Sequence, residues 1–321
     1  MKQYSQDQTR FHAAPFIREI GRGKKGARDL SRYDAQAIYA AMLNGQMSEI
    51  ELGGFLIAMR IKGESVQELA GFLHAAEASF TPLIAPEGSY APVVIPSYNG
   101  ARQLPNLTPL LACLLAREGV PVLVHGMTHD PGRVTTVEIF AEMDVQECID
   151  AHAVAEKFTQ QQPAFIAIQN LAPELYQLLQ VRRVLGLRNS THMLVKIMQP
   201  FTGKALRLVS YTHPEYFTML CDYFSTAANP EQGDVFLMRG TEGETVANAK
   251  RANAIEWFHQ HQRSTLVERQ EPVDHFPDLP ANDAATSAAW IKQALLNEEL
   301  IPFAIKEQVA QCKQIARQLK T

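Results

Sequence analysis

The stretch VVIPSYNGARQLPNLTPLLACLLAREGVPVLVHG, residues 93–126, decides the fold of this 321-residue chain. A β-branched run ending at Ser97 predicts a buried strand, a leucine-rich run from Thr108 predicts a helix, and VPVLVHG predicts a second strand. A turn rich in Gly, Asn and Ser separates the first strand from the helix. Backbone N–H groups in such a turn commonly hold a phosphate, so the turn raises the question of whether it still does so here.

The same alternation extends outward on the C-terminal side. AFIAIQN, ALRLVSY and DVFLMRG are predicted strands, and helical runs separate them, which indicates a parallel sheet flanked by helices. One of these runs starts at Pro173 and is predicted to continue toward Lys196. On the N-terminal side, amphipathic runs predict short helices, with N-caps at Ser31 and Ser48.

We therefore predict an α/β protein with two domains. Residues 1–88 form a small N-terminal helical domain, and residues 89–321 form a larger α/β domain with a mainly parallel sheet. The helices around 172–196 are expected to pack back on the helical domain.

Composition indicates a globular protein of the cytoplasm. The chain is 46% apolar and 20% charged, no apolar run is long enough to span a membrane, and the first residues do not look like a secretion signal. Its four cysteines are scattered without a CxxC pair, so we expect reduced, buried thiols and no zinc site.

Charge is unevenly distributed although the net charge is only −4. Residues 1–40 carry eight Lys or Arg against four Asp or Glu, residues 170–210 carry six against one, and residues 211–321 carry ten against fifteen. This asymmetry is compatible with anion or nucleic-acid binding, but charge alone favours an ordinary solvated surface. The strongest candidate is the glycine-rich basic loop GRGKKGARDLSR, residues 21–32. It lacks interleaved aromatic residues, which favours phosphate contacts without base stacking.

Long matches give the chain a family resemblance. The run DLSRYDAQAIYAAMLNGQMSEIELGGFLIAMRIKGESVQELAGF is similar to the helical domain of anthranilate phosphoribosyltransferases, which belong to glycosyltransferase family 3 and to the nucleoside phosphorylase/phosphoribosyltransferase fold class. The runs REIGRGKKGARDL, VIPSYNGARQLPNLTPLL, VHGMTHDPGRV and MRGTEGETVAN resemble the YbiB-type subgroup. That resemblance implies the same fold, a homodimer, and DNA binding without the enzyme activity.

The site that the resemblance points to departs from the enzyme pattern. The enzymes' loop reads Gly-Thr-Gly-Gly-Asp, whereas this chain has Ser-Tyr-Asn-Gly-Ala, and each lost glycine hinders close approach of backbone to pyrophosphate. Val124 stands where a lysine is expected, and Pro109 where a hydroxyl is expected. We interpret the remnants as a degenerate phosphate pocket: Ser97, Tyr98, Asn99, Gly100, Asn106, Thr108 and His125.

The magnesium motif is altered as well. Thr245 and Val246 replace the expected acidic pair, so no cofactor is expected and Mg²⁺ binding is disfavoured. Glu242 and Glu244 lie nearby, but a shift of one or two residues usually turns a side chain away, which argues against substitution. No catalytic residue is assigned.

Arg182 matches the anthranilate-contacting arginine of the enzymes, and three readings stay open for it. It could bind a small carboxylate, contact DNA phosphates, or pack its aliphatic part at a domain interface with its charge in solvent. The predicted nucleic-acid-binding residues are Arg22, Lys24, Lys25, Arg28, Arg32, Arg182, Arg183, Arg188, Lys196, Lys204 and Arg207.

Three functions follow as hypotheses. The first is a homodimeric, sequence-independent DNA- or RNA-binding protein with no membrane partner and with the parent catalysis lost. The alternative is a glycosyl- or phosphoribosyltransferase with an altered donor or acceptor. A third is an assembly protein that uses its N-terminal helices as a partner surface.

Overall fold

The structure is a computed structural model that describes residues 10–23, 25–272 and 276–320. The chain divides into two compact units. The first comprises Met1–Thr81 with Ala172–Met198, and the second comprises Pro82–Leu171 with Gln199–Thr321. The chain therefore leaves the first unit after residue 81 and returns to it for one later segment.

The first unit is helical. Ser31 and Ser48 cap the N-termini of its helices α2 and α3, and each serine side chain accepts the backbone N–H of the residue three positions on. Both predicted N-caps are therefore confirmed. Ser65 caps α4 in the same way and completes a capping box with Glu68. The helices of this unit are α1 Ala14–Ile20, α2 Arg32–Leu43, α3 Glu49–Lys62, α4 Val66–Ala78, α9 Pro173–Leu185 and α10 Thr191–Ile197.

Close packing joins these helices. Gly71 of α4 faces α2 so tightly that a Cβ there would lie 2.3 Å from the carbonyl oxygen of Arg32. The buried Tyr39 hydroxyl of α2 lies 2.7 Å from Thr191 Oγ1 of α10, so the returning segment is hydrogen-bonded into the same core.

The predicted helical run from Pro173 toward Lys196 is wrong as one continuous helix. Gly186 adopts the left-handed conformation (φ 71°) and ends α9, with its N–H donating to the carbonyl of Arg182. Asn189 then donates to the carbonyl of Leu178 from the following loop, and α10 starts at Thr191. A glycine C-cap therefore divides the run into two helices.

The second unit is a seven-stranded sheet with helices, within the part of the chain that the structure describes. The strand order is β3-β2-β1-β4-β5-β6-β7; the first five are mutually parallel, and β6 and β7 are antiparallel additions at one edge. The predicted α/β class with a mainly parallel sheet is confirmed. The strands are β1 Val93–Ser97, β2 Val122–Gly126, β3 Ala164–Ala167, β4 Ala205–Ser210, β5 Gly233–Met238, β6 Ile255–His259 and β7 Gln262–Val267.

Helices cover the sheet and enclose its core. The core includes Val93 and Ile95 of β1 with Leu110 and Leu111 of α5, all fully buried. No helix in the described ranges has both the length and the apolar character that a bilayer span requires. The helices of this unit are α5 Thr108–Arg117, α6 Thr136–Glu142, α7 Ala151–Thr159, α8 Ile168–Leu171, α11 Pro214–Thr226, α12 Ala284–Ala294 and α13 Phe303–Gln318, with 3₁₀ turns at Pro230–Gln232 and Glu298–Leu300.

The β6–β7 hairpin has no counterpart among the predicted elements. Its turn residues Gln260 and His261 both have positive φ, 45° and 66°, without the Asn or Gly that usually signals such a turn. Most of β7 is exposed and polar, so it lacks the apolar alternation by which a strand is recognised.

The strand order contains a topological switch point beside β1. From β1 the chain runs through β2 to β3 on one side, and it then crosses to β4 on the other side of β1. In open α/β sheets a ligand site commonly lies at such a switch point, beyond the carboxyl ends of the strands. The loops after β1, β4 and β5 meet at that point.

Candidate functional site

The loop that follows β1, residues 97–108, is called here the cradle loop. It starts where β1 and β2 lie unusually close, since a Cβ on Gly126 would sit 1.8 Å from the carbonyl oxygen of Ser97. It ends at Thr108, the first residue of α5. The ends of β1 and β2 and the N-terminus of α5 therefore meet at this loop, and this place is called the corner below.

A buried polar network fills the floor of this corner. Ser97 Oγ lies 2.8 Å from Thr136 Oγ1, and Asn106 Nδ2 donates to the same oxygen over 3.1 Å. Asn106 Oδ1 accepts the backbone N–H of Thr108. These four residues are buried, and their polar atoms bond to one another.

Tyr98 and His125 form a second pair beside the floor. The Tyr98 hydroxyl lies 2.7 Å from His125 Nδ1, and the two rings meet edge to face. Burial lowers the pKa of His125 to about 3 and raises the pKa of Tyr98 well above its usual value. At neutral pH both groups are uncharged, so this histidine supplies no positive charge for a phosphate.

The backbone donors of the cradle loop are engaged by a carboxylate of the chain itself. The N–H groups of Asn99 and Gly100 donate to Glu244 Oε1 over 2.8 and 2.7 Å, and Thr108 Oγ1 lies 3.5 Å from Glu244 Oε2. Glu244 is only 1% exposed. A buried carboxylate therefore stands in the place where a phosphate cradle would hold its ligand.

A second glutamate binds the next part of the loop. The backbone N–H of Arg102 donates to Glu242 Oε2 over 2.5 Å, and that of Gln103 lies 3.1 Å from both carboxylate oxygens. The side-chain amide of Asn99 also donates to the Glu242 carbonyl, over 3.3 Å. The expectation that a shift of one or two residues turns these side chains away from the site is wrong, because both carboxylates bond to the cradle loop. From the sequence, Glu242 and Glu244 were considered only as metal ligands.

The residues here do not fit a magnesium ion of the kind that the resemblance implies. Thr245 and Val246 are buried and carry no carboxylate, and the Thr245 carbonyl accepts from Gln308. The carboxylates of Glu242 and Glu244 already accept backbone N–H groups. The described residues hold no group of three His, Cys, Asp or Glu placed to bind a metal.

The predicted nucleic-acid-binding residues fall mainly in the first unit. In the basic loop and the start of α2, the side chains of Arg22, Lys25, Arg28 and Arg32 are exposed, and Lys24 lies outside the described residues. Arg22 also pairs with Glu19 over 2.5 Å.

The end of the basic loop is anchored by a buried acid. Glu68 is fully buried and accepts the backbone N–H of Leu30 over 2.9 Å. Lys62 bridges Glu68 and Asp29 at 2.7 and 2.5 Å. These contacts hold the end of the basic loop in place, next to its exposed cationic side chains.

A second basic group lies around the α9–α10 junction. Arg182 and Arg183 are exposed in the last turn of α9, while Arg188 and Lys196 are partly buried. Burial lowers the pKa of His192 to about 3, and the positive charges of Arg188, Arg182 and Lys196 add to the lowering. Three of the predicted cations thus lie near one another around a neutral histidine.

Two further predicted residues lie in the second unit. Lys204 is exposed just before β4. Arg207 lies on β4 with only 2% of its surface exposed, and its Nη1 donates to Gln232 Oε1 over 3.3 Å. The prediction that Arg207 contacts nucleic acid is wrong, because its side chain is held inside the unit.

Comparison with known proteins identifies the family. Residues 14–79 match the family model of the glycosyl transferase family helical bundle domain. The uncharacterized protein YbiB of Escherichia coli is 43% identical over 297 residues, covering 92% of each chain. The chain belongs to the YbiB family.

This YbiB-family chain also resembles enzymes. The anthranilate phosphoribosyltransferase of Methylorubrum extorquens is 27% identical over 271 residues, covering 83% of this chain and 78% of the enzyme. The crystal structure of anthranilate phosphoribosyltransferase from Thermus thermophilus superposes with a TM-score of 0.72 at 19% identity, covering 95% and 89% of the two chains. The Saccharomyces cerevisiae enzyme in complex with PRPP and Mg superposes with a TM-score of 0.66 at 11% identity, covering 95% and 93%. The YbiB-family chain thus has the anthranilate phosphoribosyltransferase fold.

Proposed function

We propose that this YbiB-family protein binds DNA through phosphate contacts with little sequence preference. The observation that carries the proposal is the clustering of exposed arginine and lysine side chains in the first unit, on the basic loop and at the end of α9. Cationic side chains on a fixed base neutralise phosphates and release counterions, which supports binding without reading bases. The chain's net charge of −4 makes this localisation necessary for a polyanion partner.

We also propose that this protein has lost the phosphoribosyl transfer reaction of the related enzymes. The cradle loop's backbone donors are bonded to Glu244 and Glu242, and the neutral Tyr98–His125 pair lines the same corner. A pyrophosphate needs those donors and a metal on carboxylates. Both requirements conflict with the contacts present.

A homodimer is proposed from one helix face. Ile50, Ile57 and Ile61 of α3 are 87, 39 and 71% exposed, and they lie with Gly54 along a single stripe of the helix. An apolar stripe with a glycine at its centre suits close packing against a second copy of the same helix. A dimer would double the basic surface offered to DNA.

The four cysteines are free and buried, which supports a cytoplasmic location.

Charge reversal tests the DNA proposal. The Lys24→Glu/Lys25→Glu variant should bind every DNA sequence more weakly and should lower the salt slope of binding by about two, one for each lost phosphate contact. The matched control is Arg269→Glu/Lys306→Glu, which makes the same charge change at exposed residues of the second unit. Equal affinity of the two variants in a gel shift would contradict the proposal. Duplex RNA of the same length in parallel titrations shows which nucleic acid is preferred.

The enzyme alternative rests on the relatedness to anthranilate phosphoribosyltransferases. Phosphoribosyl pyrophosphate with Mg²⁺ should leave the melting temperature of this protein unchanged if the donor site is lost. A clear stabilising shift would favour the transferase instead.

A further inference from the structure

The acidic turn, residues 241–245, holds its two glutamates against the cradle loop. Two successive N–H groups, from Asn99 and Gly100, converge on one oxygen of Glu244. Two more, from Arg102 and Gln103, converge on Glu242. Successive backbone N–H groups aimed at one point form the concave arrangement by which proteins hold oxyanions.

The backbone conformation of the acidic turn fits its contact with the cradle loop. Glu242 has φ 53°, a left-handed conformation that is unfavourable for a residue with a Cβ. Such a conformation persists only where surrounding contacts compensate for it, and the Glu242 carboxylate makes such contacts with the loop. Ser210 Oγ also donates to the carbonyl of Gly243 over 2.6 Å, which ties the turn to the end of β4.

The fit between the turn and the loop is close. A Cβ on Gly243, whose φ is 91°, would lie 1.8 Å from Asn99 Nδ2. The turn therefore sits directly on the loop. This contact is independent of the carboxylate bonds, and both place the same segment at the same donors.

We propose that the cradle loop is a working site for small oxyanions and that its occupant is the protein's own Glu244, with Glu242 as a second tethered ligand. A tethered ligand acts at an effective concentration of about millimolar or more, so external oxyanions compete poorly with it. Removal of the two carboxylates frees the backbone donors for an oxyanion such as inorganic phosphate or acetate. The inference rests on the proposed closure of the parent site and does not depend on DNA binding.

The test uses the full-length protein with Glu242→Gly and Glu244→Ala together. Glycine at position 242 removes the carboxylate and accepts the left-handed backbone, so the turn itself is not strained further. Melting temperatures are measured in sodium phosphate, acetate and chloride at equal ionic strength. Relative to chloride, a saturating oxyanion should raise the melting temperature of the double variant by about 2–4 °C more than it raises that of the wild type. The control is Glu215→Ala, which removes an exposed glutamate at the start of α11 and should behave as the wild type.

Calorimetric titration with inorganic phosphate gives the second readout. Binding by the folded double variant, and none by the wild type or the control, supports the proposal; acetate in place of phosphate shows whether a planar or a tetrahedral oxyanion is preferred. A folded double variant that binds neither oxyanion overturns it, as does a wild type that binds phosphate equally well. If the double variant does not fold, Glu244→Ala alone decides, because it removes the carboxylate that Asn99 and Gly100 bond: phosphate binding above the wild-type level supports the proposal, and its absence overturns it.

A DNA titration of the same variant separates this inference from the proposed function. Unchanged DNA affinity with gained phosphate binding supports both. If the wild type does not bind DNA, the proposed function fails, and the oxyanion inference is still decided by the phosphate titration.

Discussion

At the scale of single residues, His125 shows how burial changes the chemistry of a side chain. Its position at the end of β2 was interpreted from the sequence as part of a degenerate phosphate pocket, yet its ring is buried against Tyr98 and uncharged. The low pKa follows from removal of the ring from water, which disfavours the imidazolium. The residue therefore serves as a neutral hydrogen-bonding partner in the wall of the corner.

Burial of neutral His125 predicts a specific acid sensitivity. Its folded pKa of about 3 lies below the ordinary 6.5, so between these values the unfolded chain binds more protons. Stability is therefore full above pH 6.5 and is lost as pH falls toward 3. From pH 7 to 5.5 this one histidine costs about 1 kcal/mol of unfolding free energy.

The His125→Asn variant tests that sensitivity, because asparagine keeps a hydrogen-bonding group without the titration. Urea unfolding at pH 7.0, 6.0 and 5.5 should show a smaller loss of stability than in the wild type. Some loss should remain, since burial also lowers the pKa of His192 to about 3. Identical pH dependence of variant and wild type would show that His125 does not titrate as described.

The resemblance to the enzymes, compared position by position, indicated part of the site. The lost glycines at 97–101 and the missing acids at 245 and 246 could be identified, because each is a property of one position. The Glu244 contact could not, since its donors lie 145 and 144 residues away. Arg207 was mistaken for a surface cation because a single arginine in a strand gives no sign of which face it occupies.

At the scale of elements, helix α3 combines a buried and an exposed apolar face. Phe55, Leu56 and Met59 are buried within the first unit. Ile50, Ile57 and Ile61 point away from that core and form the stripe proposed as the dimer contact. A helix with two apolar faces commonly has two partners.

Disruption of the stripe should separate the dimer. In Ile57→Glu/Ile61→Glu, two like charges face their copies across the contact, so light scattering after size exclusion should report the mass of a monomer, 35.8 kDa. The control Ile84→Glu/Leu296→Glu places the same charges at exposed apolar residues of the second unit and should stay dimeric. A monomeric wild type, or a stripe variant that stays dimeric, would refute the assignment.

Element boundaries were predictable where the signal is local. The N-caps at Ser31 and Ser48 lie within three residues of the groups they bond, so the sequence pattern is sufficient. Gly186 carried a C-cap signal that the apolar periodicity around it obscured. The β6–β7 hairpin had neither a turn signal nor an alternating face.

At the scale of the whole molecule, the exposed basic residues and the cradle loop belong to different units. The exposed cations of the basic loop and of α9 are in the first unit, whereas the cradle loop and the acidic turn are in the second. The proposed DNA-binding surface and the proposed loss of the donor site therefore involve different units. The α/β class was predictable because alternating strands and helices over residues 93–238 leave few other arrangements. The return of residues 172–198 to the first unit was expected from the sequence, and tertiary packing around Tyr39 and Thr191 holds this segment in place.

The most direct test of the central claim is the salt dependence of DNA binding by the wild-type protein. Affinity for a short duplex of arbitrary sequence is measured between about 50 and 200 mM salt, and log K is plotted against log salt. Binding through six or more phosphates predicts a slope of about −5 or steeper and a loss of affinity of roughly a thousandfold over that range, equal for unrelated sequences. A slope near zero, or no measurable binding at the lowest salt, would contradict the claim that this protein binds DNA through its basic surface.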